Sequence, residues 1–512
     1  MSGAVRTQVL IVGAGPTGLT LACQLARCGI DCMIVEKGAA LTPYSRALGV
    51  HARTLEIYDQ FGIAEEAVAR GAIAGKVRFL VGGAVRGEAD LSHLGEDLSP
   101  FPFVLVLEQS KNEELLYEYL LAQGGKVEWQ TELMSFGQDD GGVRGLLRTP
   151  SGERTVEAQY LVGCDGARSP VREALGLGFP GSTFERMFYV ADVCLDWPMS
   201  HEALHVCFAP NTFVLFFPMA GERRYRIVGV FPEDFGKDEG EVLYEEIEAR
   251  IKTEVGMPLD ITEVGWFSVY KVHTRHAPRF RVGRCFVAGD AAHIHSPAGA
   301  QGMNTGIQDA YNLGWKLALV LHGRAHANLL ETYNEERLAN ARRLLRTTDR
   351  LFQLGAGEGR LLGLARTRVF PYVARFLLNR RTVNRQVFPL LSQIGIHYRN
   401  AALSDHDGED DFAFKAGDRM PYVLIDGANL YHRLRAPTFH LLTFAEAVTP
   451  TSSAGDGIHY HQLPLTGEVM ELFGTPSEFH LLLRPDHYIA WLTHQAPLER
   501  LERYLARLQR GV

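Results

Sequence analysis

TQVLIVGAGPTGLTLACQLARCGIDCMIVE, residues 7 to 36, decides the fold. Its opening, Gln8 to Val12, is a short apolar, β-branched run that reads as a buried strand. It passes directly into Gly13-Ala14-Gly15-Pro16-Thr17-Gly18, and a helical apolar pattern follows through Leu19, Leu21, Ala22, Leu25 and Ala26. Gly29 ends that helix, and Cys32 to Val35 read as a second strand closing on Glu36. A dinucleotide fingerprint needs this order: one glycine for the tight turn, one for close approach to a pyrophosphate, one for helix-on-sheet packing. An acid about 20 residues on then takes the ribose hydroxyls; Glu36 stands 21 positions after Gly15. The helix start offers backbone amides and partial positive charge to any pyrophosphate, so this stretch does not choose between FAD and NAD.

The bulk properties narrow the setting. A chain of 512 residues is too long for one core, so two or three domains are expected. Hydrophobic content of 46% and charged content of 22% suit a soluble globular protein. The net charge of −8 leaves no basic footprint for nucleic acid. No apolar run approaches a membrane span, and the first apolar stretch is the strand rather than a signal peptide. Seven cysteines without a CxxC pair argue against a disulfide framework or a zinc site, so a cytoplasmic protein without a metal is expected.

Outward from the fingerprint, Pro43 and Tyr44 mark a loop, and Val50 to Phe61 is amphipathic at helical spacing. Arg46 precedes that helix, as a cofactor phosphate contact or a solvated charge. Strand-like runs such as KVRFLVGG and FVLVLEQ lead to Glu108-Gln109 and a helix. Short hairpins then end in a buried strand at Tyr160 to Val162, followed by CDGARS, with Asp165 and Arg168 on a second strand-to-helix turn. From Phe184 to His276 the texture becomes alternating strands with one helical interruption near Glu241 to Lys252. A strand at Arg284 to Ala288 then runs into GDAAHIHSPAGAQGMN, residues 289 to 304, and a helix. Long helical patterns run to about Ile394; Gly355 to Gly359 between them reads as a turn, not a second nucleotide site. Ala401 to Gly408 reads as a linker before a last α/β unit.

GAGPTG, CDGARS and GDAAHIHSPAGAQGMN, in that order, resemble the class A flavoprotein monooxygenases, the single-component aromatic hydroxylases typified by para-hydroxybenzoate hydroxylase. The likeness covers roughly residues 5 to 400. It implies an α/β chain with a Rossmann-like FAD-binding domain (1–183, resuming at 277–400 with the long helices) and an inserted β-rich substrate domain (184–276). FKAGDRMPYVLIDG, from Phe414, looks like the start of the thioredoxin-like C-terminal domain (401–512) of phenol hydroxylase and polyketide or anthracycline hydroxylases. That unit holds no cysteine, which leaves a packing or assembly role.

The resemblance carries FAD to Gly13, Gly15, Pro16, Thr17, Gly18, Glu36, Lys37, Arg46, Gln109, Asp165, Arg168, Gly289, Asp290, Pro297, Gly299, Gly302, Met303 and Asn304. Asp290 would hold a ribityl hydroxyl, and amides of Pro297 to Asn304 would face the flavin pyrimidine. NADPH, or NADH, would bind transiently, with Arg46 and Arg168 as phosphate contacts; Arg168 reads equally as a structural ion pair. The implied reaction is hydroxylation of a phenolic or polycyclic aromatic substrate by molecular oxygen through a flavin C4a-hydroperoxide, in a monomer or homodimer. Tyr189, His205, Phe216, Tyr225 and Tyr270 are candidate pocket walls, and no catalytic residue is assigned. Baeyer–Villiger or epoxidising chemistry uses the same scaffold, and a non-catalytic flavin-binding protein is a third reading. A halogenase would need a tryptophan pair that this chain lacks.

Overall fold

The computed structural model describes residues 4–45, 47–232, 239–356, 360–409, 411–446, 448, 451–455 and 457–511. The opening stretch folds as read: β1 (Val5–Val12), α1 (Pro16–Arg27) and β2 (Cys32–Val35), with the two strands parallel. On the other flank of β1 lies Gly152–Gly163, parallel from Val5 opposite Val156 to Val12 opposite Gly163. Beyond it Cys285–Val287 runs parallel as well. Strands far apart in sequence therefore end side by side, and each feeds one of the three motif loops from its carboxyl end. In open α/β sheets this is where ligands bind. α1 buries Leu19, Leu21, Ala22 and Leu25 against the sheet and against the helix Gln301–Leu321. α2 (Ala52–Phe61) is buried along its whole length.

The second sheet is eight-stranded and mostly antiparallel. Its order is His293–Ile294, Asp260–His276, Gly181–Asp196, Arg224–Val230, Phe213–Pro218, Ala203–Phe208, Lys76–Val81, Ala84–Asp90. The β-rich layer thus extends beyond residues 184–276. The run KVRFLVGG pairs parallel to Ala203–Phe208 and extends the sheet on that side. The helix Tyr244–Val255 covers one face, seating Ile247, Ile251 and Val255 on Tyr189, Ala191, Phe216 and Ile227.

The long helical stretch divides into Glu331–Ala356, Arg360–Arg368, Phe370–Leu378 and Arg381–Leu391. Pro371 opens the third of these, where its missing N–H is no loss. The glycine turn read between the first two falls largely outside the described residues. The C-terminal unit has a five-stranded mixed sheet, ordered Thr451–Gly455, Ile458–Pro464, Phe439–Ala445, Phe479–Leu483, Ile489–Thr493. Trp491 and Tyr504 of this unit share a core with Trp315 and Leu329 of the nucleotide-binding part. The stretch read as a linker is irregular yet pinned: Leu403 is buried, and the Asp405 amide donates to the Ala490 carbonyl. No helix among the described residues is long and apolar enough to cross a membrane.

Candidate active site

The three fingerprint glycines serve three different needs. Gly13 adopts a left-handed φ of 102°, and a Cβ there would stand 2.4 Å from the Cys164 carbonyl oxygen. A Cβ at Gly18 would fall 2.0 Å from the Gly13 carbonyl oxygen, so helix and turn touch backbone to backbone. At Gly15 a Cβ would meet none of the described residues within 4 Å. That open space faces the start of α1, where Gly15 is the N-cap, Pro16 is at the first turn and no side chain caps the helix. Uncapped amides beside an open cradle are what a pyrophosphate requires. Thr17 Oγ1 lies 2.4 Å from where Cβ atoms at Gly289 and Gly306 would stand, so the first and third motifs interlock.

Glu36 follows β2 and accepts the Ala14 amide at 3.0 Å and the Gly38 amide at 2.8 Å. A carboxylate offers about four lone-pair sites, so capacity is left for ribose hydroxyls. Lys37 is exposed beside it. Gln109, at the start of the helix Gln109–Ala122, accepts from the Ala47 amide and donates to Glu113. Burial pushes the Glu113 carboxyl up to about 7. Asp165 serves its own turn: it accepts from Ser169 Oγ at 2.5 Å and from the Val171 amide at 3.0 Å, capping the helix Pro170–Ala174. Burial raises its carboxyl above the ordinary range. Arg168 on the same loop is exposed. Arg46 lies outside the described residues.

In the third motif Asp290 is exposed just beyond the end of Cys285–Val287. The loop around it is built by residues that no motif reading named. Asp309, fully buried, accepts the Gly289 amide at 3.0 Å, His293 Nε2 at 2.8 Å and Arg337 Nε at 2.6 Å. His51 Nε2 donates to the Gly299 carbonyl at 2.7 Å and fixes the turn after Pro297. The Asn304 side chain is wholly engaged within the protein. Its Oδ1 accepts from the His51 amide and Thr54, and its Nδ2 donates to the Gly49 and Ala300 carbonyls. The side chain is saturated, so only its backbone can face a ligand. Met303 accepts from Asn112 Nδ2, and Gly302 lies against the His295 ring. Three buried polar atoms here, His293 Nδ1, His295 Nε2 and Ser296 Oγ, lack a hydrogen-bond partner among the described residues. Such atoms call for one.

The burial of His51 and His295 has a pH consequence. It pushes both imidazoles down to about 4 from 6.5, so the unfolded chain binds more protons between those values. Stability should therefore fall as pH drops from about 6.5 through about 4, by up to ~1.4 kcal/mol per pH unit for each histidine. Urea midpoints of the apoprotein across that range should show this slope, and His51→Gln should make it shallower.

The face of the second sheet opposite the helix Tyr244–Val255 carries half-buried side chains. Cross-strand register aligns Phe217, Arg226, Asp192 and Trp266 in one row. Leu215, Val228, Val190 and Ser268 form the next, and Phe188 lies opposite Tyr270. Arg226 donates twice to Asp192, at 2.6 and 2.7 Å, and Trp266 Nε1 donates to the same carboxylate at 2.9 Å. The remaining Arg226 nitrogen reaches the Ala47 carbonyl at 3.2 Å, tying the sheet to the segment beside Arg46. Of the expected wall residues, Tyr270 alone lies on this face. Tyr189, Phe216 and Tyr225 are packed under the helix Tyr244–Val255, and His205 points the same way, donating to the Ser200 carbonyl.

Cradle, uncapped helix start and unpartnered polar atoms converge where three loops meet, and they fit a long polar cofactor such as FAD. Comparisons with known proteins agree. Residues 6–348 match the family model described as FAD binding domain. A flavin-dependent monooxygenase of Mycobacteroides abscessus is 34% identical, with 98% of this chain and 99% of that protein covered. A 6-methylpretetramide 4-monooxygenase of Streptomyces rimosus is also 34% identical, covering 94% of this chain and 90% of the relative. The solved anhydrotetracycline hydroxylase of Streptomyces rimosus superposes with a TM-score of 0.76 at 30% identity, covering 99% of this chain and 100% of that one. The chain belongs to the FAD-binding flavoprotein monooxygenases. It is a flavin-dependent enzyme, and FAD is its cofactor.

Proposed function

We propose that this enzyme hydroxylates a phenolic or polycyclic, polyketide-like aromatic substrate, using NADPH or NADH as reductant and molecular oxygen as the oxygen source. One observation carries the reading: a half-buried strip of Phe217, Leu215, Val228 and Tyr270 lies on the sheet face that Arg226 ties to the Ala47 carbonyl. Planar aromatic ligands favour such apolar walls with a few fixed polar groups. The names of relatives support it, among them the pentachlorophenol 4-monooxygenase of Sphingobium chlorophenolicum and a solved aklavinone-11 hydroxylase.

Bound FAD supplies electron transfer from the nicotinamide to oxygen. The chain's own part is positional. Amides at the start of α1 hold the pyrophosphate, Glu36 orients the adenosine ribose, and Asp290 meets the ribityl chain. The Pro297–Asn304 backbone, fixed by His51, would hold the flavin end of the cofactor, where helix-start amides favour negative charge. Asp192 and Trp266 hold Arg226 in place, and the apolar rows exclude water from the reacting centre. Arg46 and exposed Arg168 are the proposed contacts for the transient nicotinamide cofactor. The cysteine-free C-terminal unit is assigned a thioredoxin-like fold in a packing role. Its parallel Phe439–Ala445 and Ile458–Pro464 pair, flanked by antiparallel Phe479–Leu483 and Ile489–Thr493, supports that assignment.

The test is NADPH oxidation with a panel of phenols, naphthols and hydroxylated anthraquinones under heavy-isotope oxygen gas. The expected product carries one labelled oxygen on an aromatic carbon, and none from labelled water. A lactone or epoxide product, or hydrogen peroxide alone with every compound, overturns the reading.

A further inference from the structure

We propose that His440, His459 and His461 form a binding site for one divalent transition-metal ion, zinc first among them, on the C-terminal sheet. The strands Phe439–Ala445 and Ile458–Pro464 pair in parallel with His440 opposite His459. His461 lies two residues beyond His459 and so projects from the same face. One ligand nitrogen from each of the three lies within 4.8 Å of the others. His440 and His461 are buried and His459 is half-buried, so the trio has a closed floor and one side toward solvent.

The hydrogen bonds fix which nitrogens are available. His440 Nε2 lies 3.0 Å from the Ala436 carbonyl, which can only accept, so that nitrogen carries the proton. His440 Nδ1 is then a bare lone pair, and His461 Nε2, 3.0 Å away, donates to it. His461 Nδ1 in turn accepts from Ser452 Oγ at 2.8 Å. A metal entering between His440 Nδ1 and His461 Nε2 needs His461 only to move its proton to Nδ1. Ser452 can accept there because a hydroxyl both donates and accepts. No proton leaves the site. Two imidazoles at tetrahedral bond lengths of about 2.0–2.1 Å place their nitrogens about 3.3–3.4 Å apart, a few tenths of an ångström wider than here.

In metal sites the second nitrogen of each ligating histidine is anchored by a carbonyl or hydroxyl, which sets ring orientation. Ala436 and Ser452 provide that anchoring before any ion is bound. Three imidazole ligands suit zinc, copper or nickel and not magnesium or calcium. The three donors leave a fourth position for water.

The experiment uses the full-length, FAD-loaded protein, stripped with chelator, dialysed against zinc and assayed for bound metal. One zinc per chain should be retained, and zinc should raise the thermal midpoint by mass action. His459→Gln, at the half-buried position, should weaken zinc binding at least tenfold and abolish the zinc-dependent shift. His461→Asn should do the same if it folds. Equal retention and equal shift in His459→Gln and the unmodified protein, or no zinc retained by the unmodified protein, would overturn the site.

Discussion

Gly15→Ala is expected to strip the protein of FAD while leaving the apoprotein folded, whereas Gly18→Ala should damage both. A methyl group at Gly15 meets no atom of the described residues within 4 Å, and the residue's φ of −74° is one that alanine adopts freely. Among the described residues it collides with none, so the methyl group meets whatever occupies the cradle. Displacing a phosphate from charge-assisted amide bonds costs about 1.5–3 kcal/mol, or about 10- to 150-fold in affinity. At Gly18 the added atom lies 2.0 Å from the Gly13 carbonyl oxygen, so the turn itself must shift. That overpacking costs ~1–3 kcal/mol of fold stability before any ligand is considered. Flavin absorbance per chain after gel filtration reads the first effect, and urea unfolding of the apoprotein reads the second. Full flavin occupancy in Gly15→Ala would remove the cradle from the site.

The difference between those two glycines was legible in residues 13 to 18, because strand, turn and helix are contiguous there and each local rule points the same way. CDGARS and GDAAH were legible as strand-to-helix turns. Their adjacency was not, since it depends on pairing between strands well over a hundred residues apart, and only the family resemblance joined them. The pocket face was illegible for a different reason. Gly181–Asp196 is apolar on both sides, with Phe188 and Tyr189 equally buried, so period-two alternation cannot say which side meets the helix and which the cofactor. Four of the five expected wall residues consequently lie on the side of the helix Tyr244–Val255. His51 and Asp309 left no signal because each acts by holding backbone distant in sequence. Asn304 sat in a motif, and its motif position concealed that its bonding capacity is consumed by Gly49, His51, Thr54 and Ala300.

The C-terminal unit is expected to be inseparable from the nucleotide-binding part, and Arg484→Leu should show it most sharply. Arg484 is fully buried and grips Glu336 at 2.6 and 3.0 Å and Asp486 at 2.9 and 2.7 Å. Lys316 and Asn312 donate to the same Glu336 carboxylate, each at 2.7 Å. The cluster spans both parts of the molecule: Glu336 and Lys316 come from helices beside the cofactor loops, Arg484 and Asp486 from the C-terminal unit. Two positive and two negative side chains balance. Removing one cation leaves a buried carboxylate uncompensated, which costs about 3–5 kcal/mol, a large share of the ~5–15 kcal/mol that stabilises an ordinary domain. Removing Glu336 as well restores the balance, so Arg484→Leu with Glu336→Gln should lose less than the sum of the two single changes. The pH response distinguishes this from simple loss of packing. Burial works against the Glu336 charge, yet Arg484 and Lys316 outweigh it and hold the carboxyl at about 2, below its ordinary 4.5. Its contribution is thus present above about pH 4.5 and is lost as pH falls toward 2. In Arg484→Leu the Glu336 carboxyl should titrate higher, moving the acid unfolding limb to higher pH, while the double variant should lack this limb. Truncation before residue 401 should give insoluble protein, because it uncovers Trp315 and Leu329 and opens the buried Lys316–Glu336 pair to solvent. A truncated chain that stays folded and retains FAD, or an Arg484→Leu protein with unchanged urea and acid midpoints, would refute the coupling.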